Sequence, residues 1–184
     1  MGPEGIEVRL VAEADLTPED DAAIRDLLVA AFPGVRERFL RHSWWGSRPD
    51  HRLLLVQGER LLAHLGVERR VIEVGSADVV VAGIGAVAVH PDVQRQGLGR
   101  RLIEELLRVL LTDVPVSFGY LTTGPADAAF YRAVGLTRID ATVRYKDPDS
   151  GAWEVSDPLN FVLPAGSPLA AWPPGPIDLR GTPW

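Results

Sequence analysis

The stretch Gln94-Arg95-Gln96-Gly97-Leu98-Gly99 decides the reading of this chain, because of what stands on either side of it. Before it runs Ile84-Gly85-Ala86-Val87-Ala88-Val89-His90-Pro91, apolar and strand-like. After it comes Arg100-Arg101-Leu102-Ile103-Glu104-Glu105-Leu106-Leu107, where Leu98, Leu102, Leu106 and Leu110 recur every four residues. The first pattern predicts a strand and the second an amphipathic helix of about three turns or more. Two glycines between them let the backbone turn sharply and approach a ligand closely. The helix start behind them offers unpaired N–H groups and the positive end of the helix dipole. The arrangement predicts an anion cradle, with a diphosphate as its natural guest. An ordinary strand–turn–helix connection is the alternative reading of the same residues.

Upstream, Ile6-Glu7-Val8-Arg9-Leu10-Val11 alternates as a strand does. Thr17-Pro18-Glu19-Asp20 carries the signals of a helix start, with Ile24, Leu27, Leu28 and Ala31 on its apolar face and Phe32-Pro33-Gly34 as its stop. Arg52–Val56 and Leu61–Val67 flank Gln57-Gly58-Glu59 and predict an antiparallel hairpin whose second strand extends towards Val74, followed by a strand from Val79 to Val89. Downstream, Val116–Leu121 reads as a strand, Pro125–Val134 as a short helix closed by Gly135, and Asn160–Leu163 as a further strand. From Pro164 to Trp184 the chain reads as irregular, its Trp172 and Trp184 suggesting a tail that packs back. Antiparallel strands followed by strand–helix–strand units make an α/β (α+β) domain with a mixed sheet.

The chain has 184 residues, 46% apolar and 24% charged, which suits one soluble domain. With no Cys it has no disulfide, thiolate metal site or cysteine nucleophile. His42, His51 and His90 lack metal-ligand spacing, and no metal is expected. A net charge of −6 argues against broad nucleic-acid binding and is compatible with a cationic substrate. Met1 to Glu7 lacks the basic start and apolar core of a leader, and no apolar run reaches the ~20 residues of a membrane span, so a cytoplasmic protein is expected.

The turn from Gln94 to Gly99 after a strand ending Val-His-Pro resembles the acyl-CoA pyrophosphate loop of GNAT-fold N-acyltransferases. Ala129-Phe130-Tyr131-Arg132-Ala133-Val134-Gly135-Leu136 resembles that family's second cofactor element. The resemblance implies a GNAT fold: a mixed, mostly antiparallel sheet with helices on both faces and a splayed acyl-CoA site. It would occupy residues 1–163, with residues 164–184 as a tail on the same domain. Two groups are similar in the flanks. Ser43-Trp44-Trp45-Gly46-Ser47-Arg48-Pro49 and Pro168–Gly175 resemble nodulation-protein A acyltransferases, which attach a fatty acyl group to the sugar amine of a chitin oligosaccharide. Ala63–Val67, Phe161–Pro164 and Asp178–Trp184 resemble aminoglycoside 2′-N-acetyltransferases. An aminosugar amine is common to both.

By this resemblance, the backbone of Val87, Ala88 and Val89 would pair with the pantetheine arm of acetyl-CoA or a longer acyl-CoA. Gln94, Arg95, Gln96, Gly97, Leu98, Gly99 and Arg100 would hold the pyrophosphate, the two arginines adding charge. Tyr131 stands at the family's proton-donor position, although a helical tyrosine is otherwise a packed aromatic. The aminoglycoside group's strand glutamate is replaced by Gly85 and the nodulation-type acid by Gly83, so the general base must be sought elsewhere. His64 and Glu68 lie four apart on one strand and share a face, which makes them candidates; a core histidine beside a surface acid is the alternative. A water chain ending at Trp184's carboxylate is another route. Asp157, Asp178 and Trp184 match acceptor anchors of the aminoglycoside group, Ser43 replaces an acid there, and Trp44 is a candidate for stacking on a sugar ring.

Three readings follow. The first is an acetyl-CoA-dependent N-acetyltransferase for an aminosugar or aminoglycoside antibiotic. The second is a nodulation-like acyltransferase moving a longer chain, with acyl carrier protein as an alternative donor. The third is a non-catalytic acyl-CoA-binding domain. A homodimer through the tail stays open.

Overall fold

The alternation at the start of the chain forms strand β1 (Ile6–Ala12) in the computed structural model, which describes residues 5–184. The leader reading of Met1 to Glu7 therefore falls partly outside the described residues. The chain divides into two compact units. The first holds residues 5–68, Gly85–Leu106 and Trp184; the second holds Arg69–Ile84 and Leu107–Pro183.

In the first unit, Thr17 caps helix α1 (Pro18–Ala31): its side-chain oxygen accepts the Asp20 N–H at 3.1 Å, and Glu19, Asp20 and Asp21 face the positive helix end. A short helix α2 (Arg36–Phe39) follows and buries Phe39. Strands β2 (His51–Gln57) and β3 (Arg60–Val74) form the expected hairpin, with Leu53 opposite Leu65, and β1 lies antiparallel on β2 with Val8 opposite Leu55. Strand β4 (Ala77–Val89) and helix α3 (Leu98–Thr112) contribute residues to both units, as β3 does. The core of this unit joins Ile24, Leu27 and Leu28 of α1 to Phe39, Leu54, Val56, Leu61 and Ala88. Burial of these apolar faces, at about 25 cal/mol per Å², is what holds α1 on the strands.

A charged side chain sits inside this apolar unit. Arg52 on β2 is fully buried, and each of its five N–H donors has an acceptor. Its Nε and Nη2 donate to the Glu13 carboxylate at 2.9 and 3.4 Å. Nη1 reaches the Ser43 carbonyl at 2.5 Å and the His64 Nε2 at 3.4 Å, and Nη2 also donates to the Ser43 Oγ at 3.0 Å. Ser43 in turn donates its hydroxyl to Asp21 of α1 at 2.6 Å. A buried guanidinium is tolerated only when its fork is satisfied in this way. Arg52 thereby ties the turn after β1, the tryptophan segment and, through Ser43, α1 together.

In the second unit, strand β5 (Phe118–Thr123) runs parallel to β4, with Val81 opposite Phe118. Helix α4 (Ala128–Ala133) precedes four short strands and one longer one: β6 (Thr137–Ile139), β7 (Val143–Lys146), β8 (Trp153–Ser156), β9 (Leu159–Pro164) and β10 (Ile177–Asp178). β9 is antiparallel to both β5 and β6, and β8 is antiparallel to β7. β10 comes from the tail read as irregular; it pairs antiparallel with β3 at Val74 and parallel with β7 at Val143. The sheet is mixed and mostly antiparallel. Trp172 meets Phe118 edge-on with centroids 5.2 Å apart and stacks on Tyr120 at 5.8 Å, an aromatic contact that holds its part of the tail. The Tyr120 hydroxyl donates to Asn160 Oδ1 at 2.5 Å, and Asn160 donates to the carbonyls of Ala141 and Pro158, so this buried polar pair is fully used.

Two predictions follow from the buried network. Arg52→Lys keeps the charge but cannot fill five acceptors, and should cost about 3 kcal/mol in urea unfolding; a loss under about 1 kcal/mol would show that the fork is dispensable. Burial first and the Arg52 charge second lower the His64 pKa from 6.5 to about 3. Below pH 6.5 the unfolded chain therefore takes up a proton that the folded chain refuses, and stability falls as pH drops towards 3. Between pH 7 and 5 the protein should lose about 2 kcal/mol more than His64→Asn does. Equal losses would place His64 in water.

Candidate functional site

The first unit carries the glycine turn. His90 follows β4, and its Nδ1 accepts the Asp92 N–H at 3.3 Å across a 3₁₀ turn at Pro91–Val93. Arg95 and Gly97 then both take left-handed backbone, φ 62° and 83°. Left-handed residues in a turn ahead of a helix are the kind of backbone from which anion nests are built. The helical ladder opens with the Arg101 N–H on the Gly97 carbonyl at 3.0 Å. Leu98 is buried and anchors the helix start. A side chain at Gly97 would meet nothing within 4 Å, so the demand for glycine there comes from φ rather than from space.

Strand β4 approaches this turn through a break. Ala86 is left-handed, φ 49°, an unusual conformation for a residue with a Cβ. Its carbonyl accepts from His64 Nδ1 at 2.9 Å. Gly85, just before it, lies against the main chain of Trp184: a Cβ at position 85 would collide with the Trp184 carbonyl carbon and oxygen. The position read as a missing acid is thus filled by the main-chain carboxyl atoms of Trp184, the residue whose carboxylate was the other route expected for the amine's proton. Beyond the break Ala88 enters the core, and the Val89 carbonyl already accepts from the Gln94 side chain at 3.1 Å. Val89 was expected to serve pantetheine, and Gln94 pyrophosphate; each has this internal partner as well.

Two expectations are corrected here. His64 is fully buried, between the Ala86 carbonyl and the Arg52 guanidinium, and with its pKa near 3 it is far too weak a base to take a proton from an ammonium group. Ser43 is also fully buried, its carbonyl and hydroxyl committed to Arg52 and Asp21, so it does not face an acceptor. Glu68 is partly exposed and takes the Ser47 hydroxyl on one carboxylate oxygen. Trp44 has the Arg48 guanidinium 4.5 Å from its ring centroid and the His42 ring 4.8 Å away. Those neighbours already use much of the indole, while Arg48 also reaches Glu13 at 3.3 Å.

The second unit carries Tyr131. It sits on α4, 8% exposed, with Phe130 5.1 Å and Phe161 5.8 Å from its ring. Burial first and the Asp127 charge second push its phenol well above the ordinary value, so it stays protonated at neutral pH. Asp178 is committed within its unit: one oxygen accepts from Arg144 at 2.6 Å and the other from the Arg180 N–H at 2.7 Å. Asp157 is exposed. Sequence reasoning missed Arg52 altogether. Its one signal was an arginine set among Leu53, Leu54, Leu55 and Val56, a position that cannot reach water from a strand covered on both faces. Among the described residues no group of three or more His, Asp or Glu could hold a metal ion, and no helix is long and apolar enough to cross a membrane.

The family model described as Nodulation protein A (NodA) matches residues 4–183 of the chain. Nodulation protein A of Rhizobium meliloti (strain 1021) is 33% identical over 147 residues, covering 75% of this chain and 74% of that protein. Nodulation protein A of Rhizobium leguminosarum bv. trifolii is 28% identical over 191 residues, 96% of each. Among solved structures, Escherichia coli ElaA superimposes with a TM-score of 0.61 at 18% identity, over 86% of this chain and 99% of that one. A GNAT family acetyltransferase from Brucella melitensis, in complex with acetyl-CoA, gives 0.60 at 21% identity over 93% and 94%. Those likenesses show the GNAT fold, and the matched family model together with the relatives shows that the chain belongs to the nodulation protein A family.

Proposed function

We propose that the chain is an N-acyltransferase of the nodulation type, moving an acyl group from a pantetheine thioester to the amine of an aminosugar. The observation that carries this reading is the turn with left-handed Arg95 and Gly97 ahead of α3, in a chain of the nodulation protein A family. Acetylation of an aminoglycoside, the first reading of the sequence, is less well supported. Of its acceptor anchors, Ser43 is buried and Asp178 is neutralised by Arg144. A polycationic antibiotic would find fewer available carboxylates than that reading needs.

The chemistry assigns separate tasks. The neutral amine attacks the thioester carbonyl, a C–N bond forms, the C–S bond breaks, the sulfur needs a proton and the nitrogen must lose one. The N–H groups from Arg95 to Arg100 are assigned to the donor's diphosphate. The phenol of Tyr131, kept neutral by burial, is assigned to the departing sulfur, where a hydrogen bond that strengthens as charge develops lowers the barrier. Glu68 is the side-chain candidate for the amine's proton, with Ser47 orienting its carboxylate.

A donor and acceptor panel tests the reading: acetyl-CoA, long-chain acyl-CoA and acylated carrier protein against partly deacetylated chitin oligosaccharide and aminoglycosides, with product masses read. The expected product is the sugar amine carrying a long acyl chain. Preferred acetylation of aminoglycosides would restore the first reading, and donor binding without any amine consumed would favour a non-catalytic domain. Tyr131→Phe should lower kcat at least about 100-fold while leaving donor affinity nearly unchanged; full turnover would remove Tyr131 as the proton donor. Gly97→Val, forced to a left-handed φ, should weaken donor binding about tenfold. Unaltered binding would dissociate the turn from the diphosphate.

A further inference from the structure

We infer that His64 is a positioning residue for the donor strand: held by buried Arg52, it donates Nδ1–H to the Ala86 carbonyl and so fixes the left-handed break that directs Val87, Ala88 and Val89. The inference rests on the proposal that those residues contact the acyl donor.

The geometry assigns the protons. A carbonyl oxygen only accepts, so the His64 Nδ1 that lies 2.9 Å from the Ala86 oxygen carries the hydrogen. The Nε2 is then bare, and it faces the Arg52 Nη1 at 3.4 Å, a group that can only donate. Reversing the tautomer would set an N–H against a guanidinium N–H and leave the Ala86 oxygen without its donor. Arg52 cannot turn away, because Glu13 and Ser43 hold the rest of its fork. The imidazole is therefore locked in one tautomer and one orientation.

What it holds is a conformation that alanine does not choose. Ala86 has φ 49°, and a strained residue of this kind persists only when its surroundings over-determine it. On one side Gly85 is packed under the Trp184 main chain; on the other Ala88 is fixed in the core. The His64 bond is the side-chain contact made to the carbonyl of the strained residue itself. Full burial and the Arg52 charge keep the ring neutral through the physiological range, which suits a fixed donor and rules out a proton shuttle.

The test uses two amides that differ in reach. In His64→Asn the amide nitrogen falls where Nδ1 was, so the bond to Ala86 survives; in His64→Gln it falls nearer Nε2 and the bond is lost. At a temperature where circular dichroism shows both variants folded, acetyl-CoA affinity measured by titration calorimetry should stay within about threefold of wild type for Asn and weaken about tenfold for Gln. Amide exchange at Val87 and Ala88, measured without donor, should stay slow for Asn and quicken for Gln. This second measurement separates the two claims: wild-type protein that binds neither acetyl-CoA nor a long-chain acyl-CoA sinks the assignment of this strand to an acyl-CoA donor, while the exchange pattern still judges His64. Equal behaviour of Asn and Gln in both measurements, whether both intact or both impaired, would overturn the positioning role. If His64→Gln does not fold, Ala86→Gly is added to it, since glycine adopts the left-handed turn without strain. Recovery of folding and affinity then supports the role, and no recovery overturns it.

Discussion

A guanidinium taken out of water must have its whole fork filled, and the first unit of this protein is arranged around that requirement. Arg52 draws in Glu13 from just after β1, the carbonyl and hydroxyl of Ser43 from the tryptophan segment, and the ring of His64 from β3. None of those groups satisfies the charge alone. Together they fix the loop around Trp44 and Trp45 against α1 and orient the imidazole that meets Ala86. Removing the ion would leave the buried Ser43 carbonyl and the Nε2 of His64 without the donor they share, which is why the cost of breaking such a site exceeds the gain of making it.

From this anchor the backbone that the proposed function assigns to the acyl donor can be followed residue by residue within the first unit. His64 meets the carbonyl of Ala86, the left-handed Ala86 separates Gly85 from Val87, and the strand then ends at Val89 before the turn with left-handed Arg95 and Gly97. Gly85 has no room for a side chain, because the Trp184 main chain occupies that space. In the proposed mechanism Glu68, with its Ser47 partner, is the side-chain route for the amine's proton.

The long elements were legible because their signals are long. Leucines every four residues specify α3, a capping threonine specifies the start of α1, and apolar runs around Gly58 specify the β2–β3 hairpin. The strands β6, β7, β8 and β10 were not read, because two to four residues carry no measurable period. Their positions come from pairing with strands distant in sequence, as Ile177 does with Val74. At the candidate site, the glycine turn was legible from local composition alone. His64 was misread because parity places a side chain on a face without saying whether that face meets solvent. Ser43 was misread for a related reason: its partners, Asp21 and Arg52, come from separate elements. Membership of the nodulation protein A family also reorders the functional readings, since composition and motif spacing favoured neither acyl length.

The proposed function stands or falls with one contact, that of the backbone from Arg95 to Arg100 with the diphosphate of an acyl-CoA. The most direct measurement compares two ligands that share the pantetheine arm: coenzyme A and pantetheine, each titrated calorimetrically into the full chain at the same ionic strength. Coenzyme A should bind at least about tenfold more tightly, the difference shrinking as salt rises. Equal affinities, or a difference indifferent to salt, would contradict it.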